Sequence, residues 1–120
     1  MKYSMLIYEN DAGFALRNHP DSKKREAYWA AFSLYTKALA DAGVMVGGAG
    51  LQVPETATTL KLQDGKRLVQ DGPYADTKEQ LGGFYIINVP DLDTALDWAA
   101  RCPAAPGSVI EVRPNLVPPS

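Results

Sequence analysis

At 120 residues, 46% hydrophobic and 22% charged, the chain has the makeup of one folded domain, residues 1–120, with its own core. A net charge of −2 and a pI near 5.3 leave no basic footprint, which argues against nucleic acid and against an anionic membrane surface as partners. The single cysteine, Cys102, has no internal partner and is expected to pack as a small apolar residue in a reducing, cytoplasmic setting.

The opening "MKYSMLIYEN" reads as a strand over residues 3–9 and not as a leader peptide, because its short apolar run ends at Glu9. Nowhere do about 20 apolar residues follow one another, as a membrane-spanning helix needs. "LRNHPDSKK" is a polar approach to a helix, with Asp21 or Ser22 as its cap. Over residues 23–42, Ala27, Ala31, Leu34, Ala38 and Ala42 recur at helical spacing, and Tyr28, Phe32, Tyr35 and Leu39 form a neighbouring stripe. Together they predict a wide apolar face, closed by Gly43 at the position where a left-handed residue is wanted.

"VMVGGAGLQV" is apolar but broken by Gly47, Gly48 and Gly50. No lysine and no helical pattern follow, so a phosphate-binding loop is a poor fit, and a strand with a bulge or a close backbone approach is the better one. "DGK" at residues 64–66 separates two strand-like runs, 57–63 and 67–70, as a hairpin. In "ADTKEQ", Asp76 with Glu79 or Thr77 with Gln80 has capping-box spacing and predicts a short helical turn, which Gly82 and Gly83 would end. Residues 84–89 form a further strand. Asp91 caps a second helix with the face Leu92, Ala95, Leu96 and Ala99 and Trp98 beside it, stopped by Pro103 and Pro106. Residues 108–113 alternate as a last strand, and the tail "PNLVPPS" is expected to be loosely held.

This order predicts an α+β fold of the ferredoxin-like β-α-β-β-α-β kind with an extra hairpin. "SMLIY" and "FYIINV" are apolar in both phases, as strands covered on both faces should be. The helices cover one face, and a second copy of the chain is the expected cover for the other, giving a homodimer.

Candidate chemistry centres on "DGPYADTKEQ". The usual local partner of a turn aspartate is the N–H two residues on, and here that residue is Pro73, which has none. Asp71 must therefore look to Tyr74, to water or into a pocket; building the turn is its structural role, and in an apolar pocket it could act as a general acid or base. Tyr8, Trp29, Phe32, Tyr74 and Tyr85 are the candidate substrate-binding aromatics, for an apolar or aromatic small molecule held between helix and sheet, although core or interface packing is the simpler role for each. His19, the single histidine, sits in a solvated loop. One His and one Cys are too few for a catalytic triad or a histidine-based metal site, so no metal and no cofactor is expected.

"MKY" and "LIY" at the start, "AGVMVGGAGLQ", "DGPYADTKEQLGGFYIINVPDLDTALDWAARCP" and "IEVRP" resemble the DGPF subgroup of the YCII-related family, in the same order over nearly the whole chain. The resemblance implies a dimeric ferredoxin-like α/β-barrel. In that family a helix histidine and the aspartate of a "D-P-F"-like turn form a proposed active-site pair; Asp71 matches the aspartate, Phe32 stands near the histidine position, and Tyr74 replaces the phenylalanine. A few relatives are similar to lyases acting on chlorinated hydroxyquinols, and DGPF proteins often accompany extracytoplasmic-function sigma factors. The expectations are thus two: a cofactor-independent lyase or isomerase using Asp71, or a non-catalytic ligand- or protein-binding module in a stress-linked regulatory setting, which the missing histidine favours.

Overall fold

The structure, a computed structural model, describes residues 1–119; Ser120, the end of the tail expected to be loose, lies outside the described residues. The described residues form six strands, β1 (Lys2–Glu9), β2 (Met45–Gly50), β3 (Thr58–Gln63), β4 (Lys66–Asp71), β5 (Gln80–Asn88) and β6 (Val109–Pro114), with helices α1 (Asp11–Ala15) and α2 (Ser22–Asp41) between β1 and β2 and α3 (Leu92–Ala100) between β5 and β6. Four strands form an antiparallel sheet in the order β2-β5-β1-β6, while β3 and β4 pair only with each other. The fold is α+β.

The core follows from strand periodicity. Tyr3, Met5 and Ile7 of β1 are buried in one phase, where Tyr3 and Met5 join Ile87, Val89, Tyr35 and Leu39 of α2, and Ala95 and Ala99 of α3. Burial at this scale, at about 25 cal/mol per Å² of apolar surface removed from water, is the main force holding both long helices to the sheet. The Tyr35 hydroxyl donates to the Trp98 carbonyl at 2.7 Å and so links α2 to α3, and burial raises its pKa. In the other phase Leu6 lies opposite Phe84, and Ser4 opposite Ile86. Leu6, Tyr8, Phe84 and Ile86 stay half-buried on the sheet face that carries no core cluster.

Several sequence expectations are corrected by these contacts. On α2 only the aromatic stripe is buried, through Tyr28, Tyr35 and Leu39; Leu34 is 69% exposed, and Ala27 and Ala42 are exposed too. The large side chains reach the sheet and hold the small-residue stripe away from it. On α3, likewise, Ala95 and Ala99 are buried, whereas Leu92 and Leu96 are exposed and Trp98 leans on the core. Helix α1 is absent from the expectations: Asn10 caps it by accepting from the Gly13 N–H at 2.9 Å.

The helical turn expected in "ADTKEQ" does not form. The Gln80 amide instead donates to the carbonyls of Ala75 and Thr77, and Thr77 donates to the Glu79 carbonyl, so the side chains close a loop. Strand β5 therefore starts at Gln80 and contains Gly82 and Gly83, with a bulge opposite Ile7 and Tyr8. The tail is tied at its root: the Asn115 N–H donates to the Lys2 carbonyl, and Ser4 donates to the Asn115 side chain at 2.6 Å.

The β3–β4 hairpin is an arm. Its turn is Asp64–Gly65, both at positive φ (51° and 74°), the conformation of a two-residue type I′ turn. All but one of its strand residues are exposed, including Leu60, Leu62, Leu68 and Val69. The radius of gyration, 16.3 Å, exceeds the about 14 Å of a compact chain this long, as a projecting arm requires.

Candidate functional site

Strand β2 explains why the molecule has a cleft. After Val46 its sequence is Gly-Gly-Ala-Gly, so this sheet edge offers no large side chain to meet α2. At Gly48 a Cβ would lie 2.5 Å from the Phe84 carbonyl oxygen, so only glycine allows the backbones to approach this closely. A cleft of about 900 Å³ remains between α2, from Tyr28 to Ala40, and the β2–β5 edge, within the about 300–1,000 Å³ range of small-molecule pockets. Trp29 and Phe32 of α2 and Tyr85 of β5 line it, with the segment 48–53 as the opposite wall. Tyr28 packs edge-on to Trp29 at 5.1 Å between ring centroids and at 5.1 Å from Phe32. The Thr36 and Tyr85 hydroxyls share a hydrogen bond of 2.7 Å, and burial raises the Tyr85 pKa.

One end of the cleft is polar and buried. Glu9, the last residue of β1, falls in the inward phase of Tyr3, Met5 and Ile7 and is 1% exposed. The Tyr28 hydroxyl donates to its Oε1 at 3.0 Å. Burial, and then the charge of Glu9, push the Tyr28 phenol up to about 12, so it keeps its proton at neutral pH and acts as the donor. Arg17 Nη2 lies 3.6 Å from Glu9 Oε2: an ion pair without a hydrogen bond.

Arg17 itself is fixed from several sides. Its Nη1 donates to the Leu51 carbonyl and its Nη2 to the Gly82 carbonyl at 3.0 Å, and the guanidinium lies 5.0 Å from the Phe14 ring centroid. Trp29 Nε1 in turn donates to the Arg17 carbonyl at 3.0 Å. Gly82 makes room for this cluster: a Cβ there would stand 3.1 Å from Arg17 Nη2 and 3.3 Å from Glu9 Oε2. Among the described residues, Glu9 Oε2 and Arg17 Nε have no hydrogen-bond partner.

The structure brings together three of the six candidate site residues, Trp29, Phe32 and Tyr85. Tyr8 points in the opposite strand phase, half-buried on the other sheet face. Asp71 ends β4 opposite Thr58 and is exposed, in an open hollow with Asn10, Asp11, Pro54 and Lys78. Tyr74 is 76% exposed and lies under Lys61, whose Nζ is 5.4 Å from the ring centroid. Neither Asp71 nor Tyr74 lines the aromatic cleft. The ring of His19 caps the following turn by accepting from the Asp21 N–H at 3.0 Å. Cys102 is half-buried against the core, and burial pushes its thiol up to about 11. Among the described residues no three His, Cys, Asp or Glu side chains gather to hold a metal ion, and no helix is long and apolar enough to cross a membrane.

The residues that sequence reasoning missed are Glu9 and Arg17. One signal was available: Glu9 continues the alternation of Tyr3, Met5 and Ile7, so an unbroken strand had to turn it inward. Comparison with known proteins bears on the whole chain. An uncharacterised protein of Rhizobium meliloti (strain 1021) is 34% identical over 116 residues, which is 95% of this chain and 91% of that protein. The profile of the YCII-related domain matches residues 1–116, and the chain belongs to that family.

Proposed function

We propose that the protein binds a small aromatic or apolar molecule in the cleft between α2 and the β2–β5 edge. The observation that carries this reading is the pairing of aromatic walls with a buried Glu9–Arg17 pair at one end. A core built only for stability gains little from such a pair, because desolvating two charges offsets their attraction. Indole tests the reading. Wild-type protein should bind it saturably in a ligand-observed NMR titration, and Gly50→Leu should abolish binding without lowering the melting temperature. Gly50 lines the cleft, and a Cβ there has no atom within 4 Å, so the leucine starts into open space. Binding that survives in Gly50→Leu, or no binding to wild type, overturns the reading.

The working form in this proposal is a cytoplasmic homodimer of ferredoxin-like subunits, a dimeric α/β-barrel of the DGPF subgroup. Its support is the half-buried apolar face of Leu6, Phe84 and Ile86, together with an arm that leaves Leu62 and Val69 largely exposed in a single subunit. A two-stranded hairpin alone is marginally stable in water, and a second copy would cover it. Light scattering at micromolar concentration checks this, and a monomeric mass counts against it.

The geometry favours ligand binding over acid–base chemistry through Asp71, which is exposed and outside the cleft. Lyase or isomerase chemistry at Asp71 is the second reading, and it rests on the open hollow that Asp71 shares with Lys78. In that case Asp71→Asn abolishes turnover and leaves stability nearly unchanged. A non-catalytic module in a stress- or sigma-factor-linked setting would instead show ligand-dependent stabilisation without product.

A further inference from the structure

We propose that Glu9 is the recognition group of the cleft, and that its Oε2 accepts a hydrogen bond from an N–H or O–H of a neutral ligand. The proposal rests on the cleft-binding reading above and adds the polar group that the ligand must carry. Glu9 is 1% exposed and lines the cleft, and one of its oxygens is already satisfied by Tyr28. The other faces Arg17 at 3.6 Å, beyond hydrogen-bond range, and has no donor among the described residues. A buried carboxylate oxygen without a donor is costly, and folded proteins leave few such atoms unless something else completes them.

Arg17 does not complete it in this structure: Nη1 donates to the Leu51 carbonyl and Nη2 to the Gly82 carbonyl, and the second hydrogen of Nη2 has its nitrogen 3.6 Å from Oε2. Tyr28 cannot either, since its one proton is directed to Oε1. No side chain as placed donates to Oε2, and a donor on the ligand would complete it. Arg17 Nε is a donor without an acceptor in the same cluster. A hydroxyl on the ligand could donate to Glu9 and accept from Arg17, whereas an N–H would meet Glu9 alone. The acid and the guanidinium cancel in charge, so the cluster favours an uncharged ligand over an ion that must be stripped of water. The class is therefore a neutral, mostly aromatic or apolar molecule with one N–H or O–H at its buried end.

Indole and 1-methylindole differ chiefly in that donor and make the matched test. Wild-type protein should bind indole about tenfold or more tightly than 1-methylindole, the selectivity of one hydrogen bond to a charged acceptor. Glu9→Gln, checked for an unchanged melting temperature, should reduce that ratio at least threefold, since a neutral amide is a weaker acceptor than a carboxylate. Equal affinities for the two probes in wild type overturn the role of Glu9 and leave the cleft reading standing. A full ratio retained in folded Glu9→Gln also overturns it, because the donor is then read elsewhere. Absence of binding by either probe overturns both readings together. If Glu9→Gln does not fold, the wild-type ratio still decides.

Discussion

Two carboxylates end two strands of this molecule, and their fates differ. Glu9 closes β1 in the sheet centre, is buried, and meets a phenol and a guanidinium. Asp71 closes β4 in the arm and is exposed. In the sequence Asp71 is the conspicuous one, because it sits in turn chemistry beside a proline and an aromatic. Glu9 looks like the polar end of an apolar run. The difference lies in what surrounds each strand: β1 has neighbours on both edges and two helices over one face, while β4 pairs only with β3. An acid becomes chemically distinctive where water is removed from around it, and a local turn motif does not control that.

The largest effect should come from removing the buried acid. Glu9→Ala strands the Arg17 guanidinium without its counter-charge and should cost about 3–5 kcal/mol in denaturant unfolding, the usual penalty for breaking a buried pair on one side. A loss below about 1 kcal/mol would mean that water already reaches the pair and that the contrast with Asp71 is false. Next comes Gly82→Ala. Its methyl group presses on Arg17 Nη2 at 3.1 Å and on Glu9 Oε2 at 3.3 Å, so it should cost about 1–3 kcal/mol and displace the cluster. Gly50→Leu, which also lines the cleft but starts into open space, is its control.

The buried phenol gives the comparison a pH dependence. Tyr28 titrates at 10.0 in an open chain and at about 12 in the fold, chiefly because it is buried. Above pH 10 the unfolded chain gives up this proton while the folded chain holds it, so the stability Tyr28 contributes is complete below pH 10 and lost as pH rises toward 12. Tyr35 and Tyr85, also raised by burial, act in the same direction. Unfolding free energies across that window should fall, and less steeply in Tyr28→Phe. Asp91 works at the acid end. Hydrogen bonds from Thr94 hold its carboxyl below the usual range, so its stabilisation is present above that range and fades as pH falls through it. An Asp91→Asn variant should flatten the acid limb alone.

How much of this could be read from the sequence follows the same divide. The order of the strands with α2 and α3, the Asp91 cap and the Asp64–Gly65 turn were legible, because each is decided within a few residues. The buried side of α2 was not. Both stripes are apolar, and only the distance to the sheet selects Tyr28, Tyr35 and Leu39 over Leu34. The turn in "ADTKEQ" misled because Gln80 had two uses for its amide, and the loop carbonyls outcompeted the capping box. The cleft was only half legible: Trp29, Phe32 and Tyr85 stand out as aromatics, but Arg17 reaches Glu9 across a connection that no local pattern encodes.

The smallest effect is expected at the exposed acid. Asp71→Ala removes a side chain with water around it in a single subunit, so it should change stability by no more than about 0.5 kcal/mol. The measurement is informative because Gly72, next in the chain, is held independently: its N–H donates to the Ala57 carbonyl at 2.7 Å, and the Thr59 hydroxyl donates to the Gly72 carbonyl at 2.8 Å. The turn therefore stays in place when the carboxylate goes, and any larger loss reports on contacts that Asp71 makes outside its own subunit. A cost above about 1 kcal/mol that shrinks on dilution would place Asp71 at an interface between copies, since only a concentration-dependent contact behaves that way. The two acids would then be alike in burial, one inside the subunit and the other between subunits.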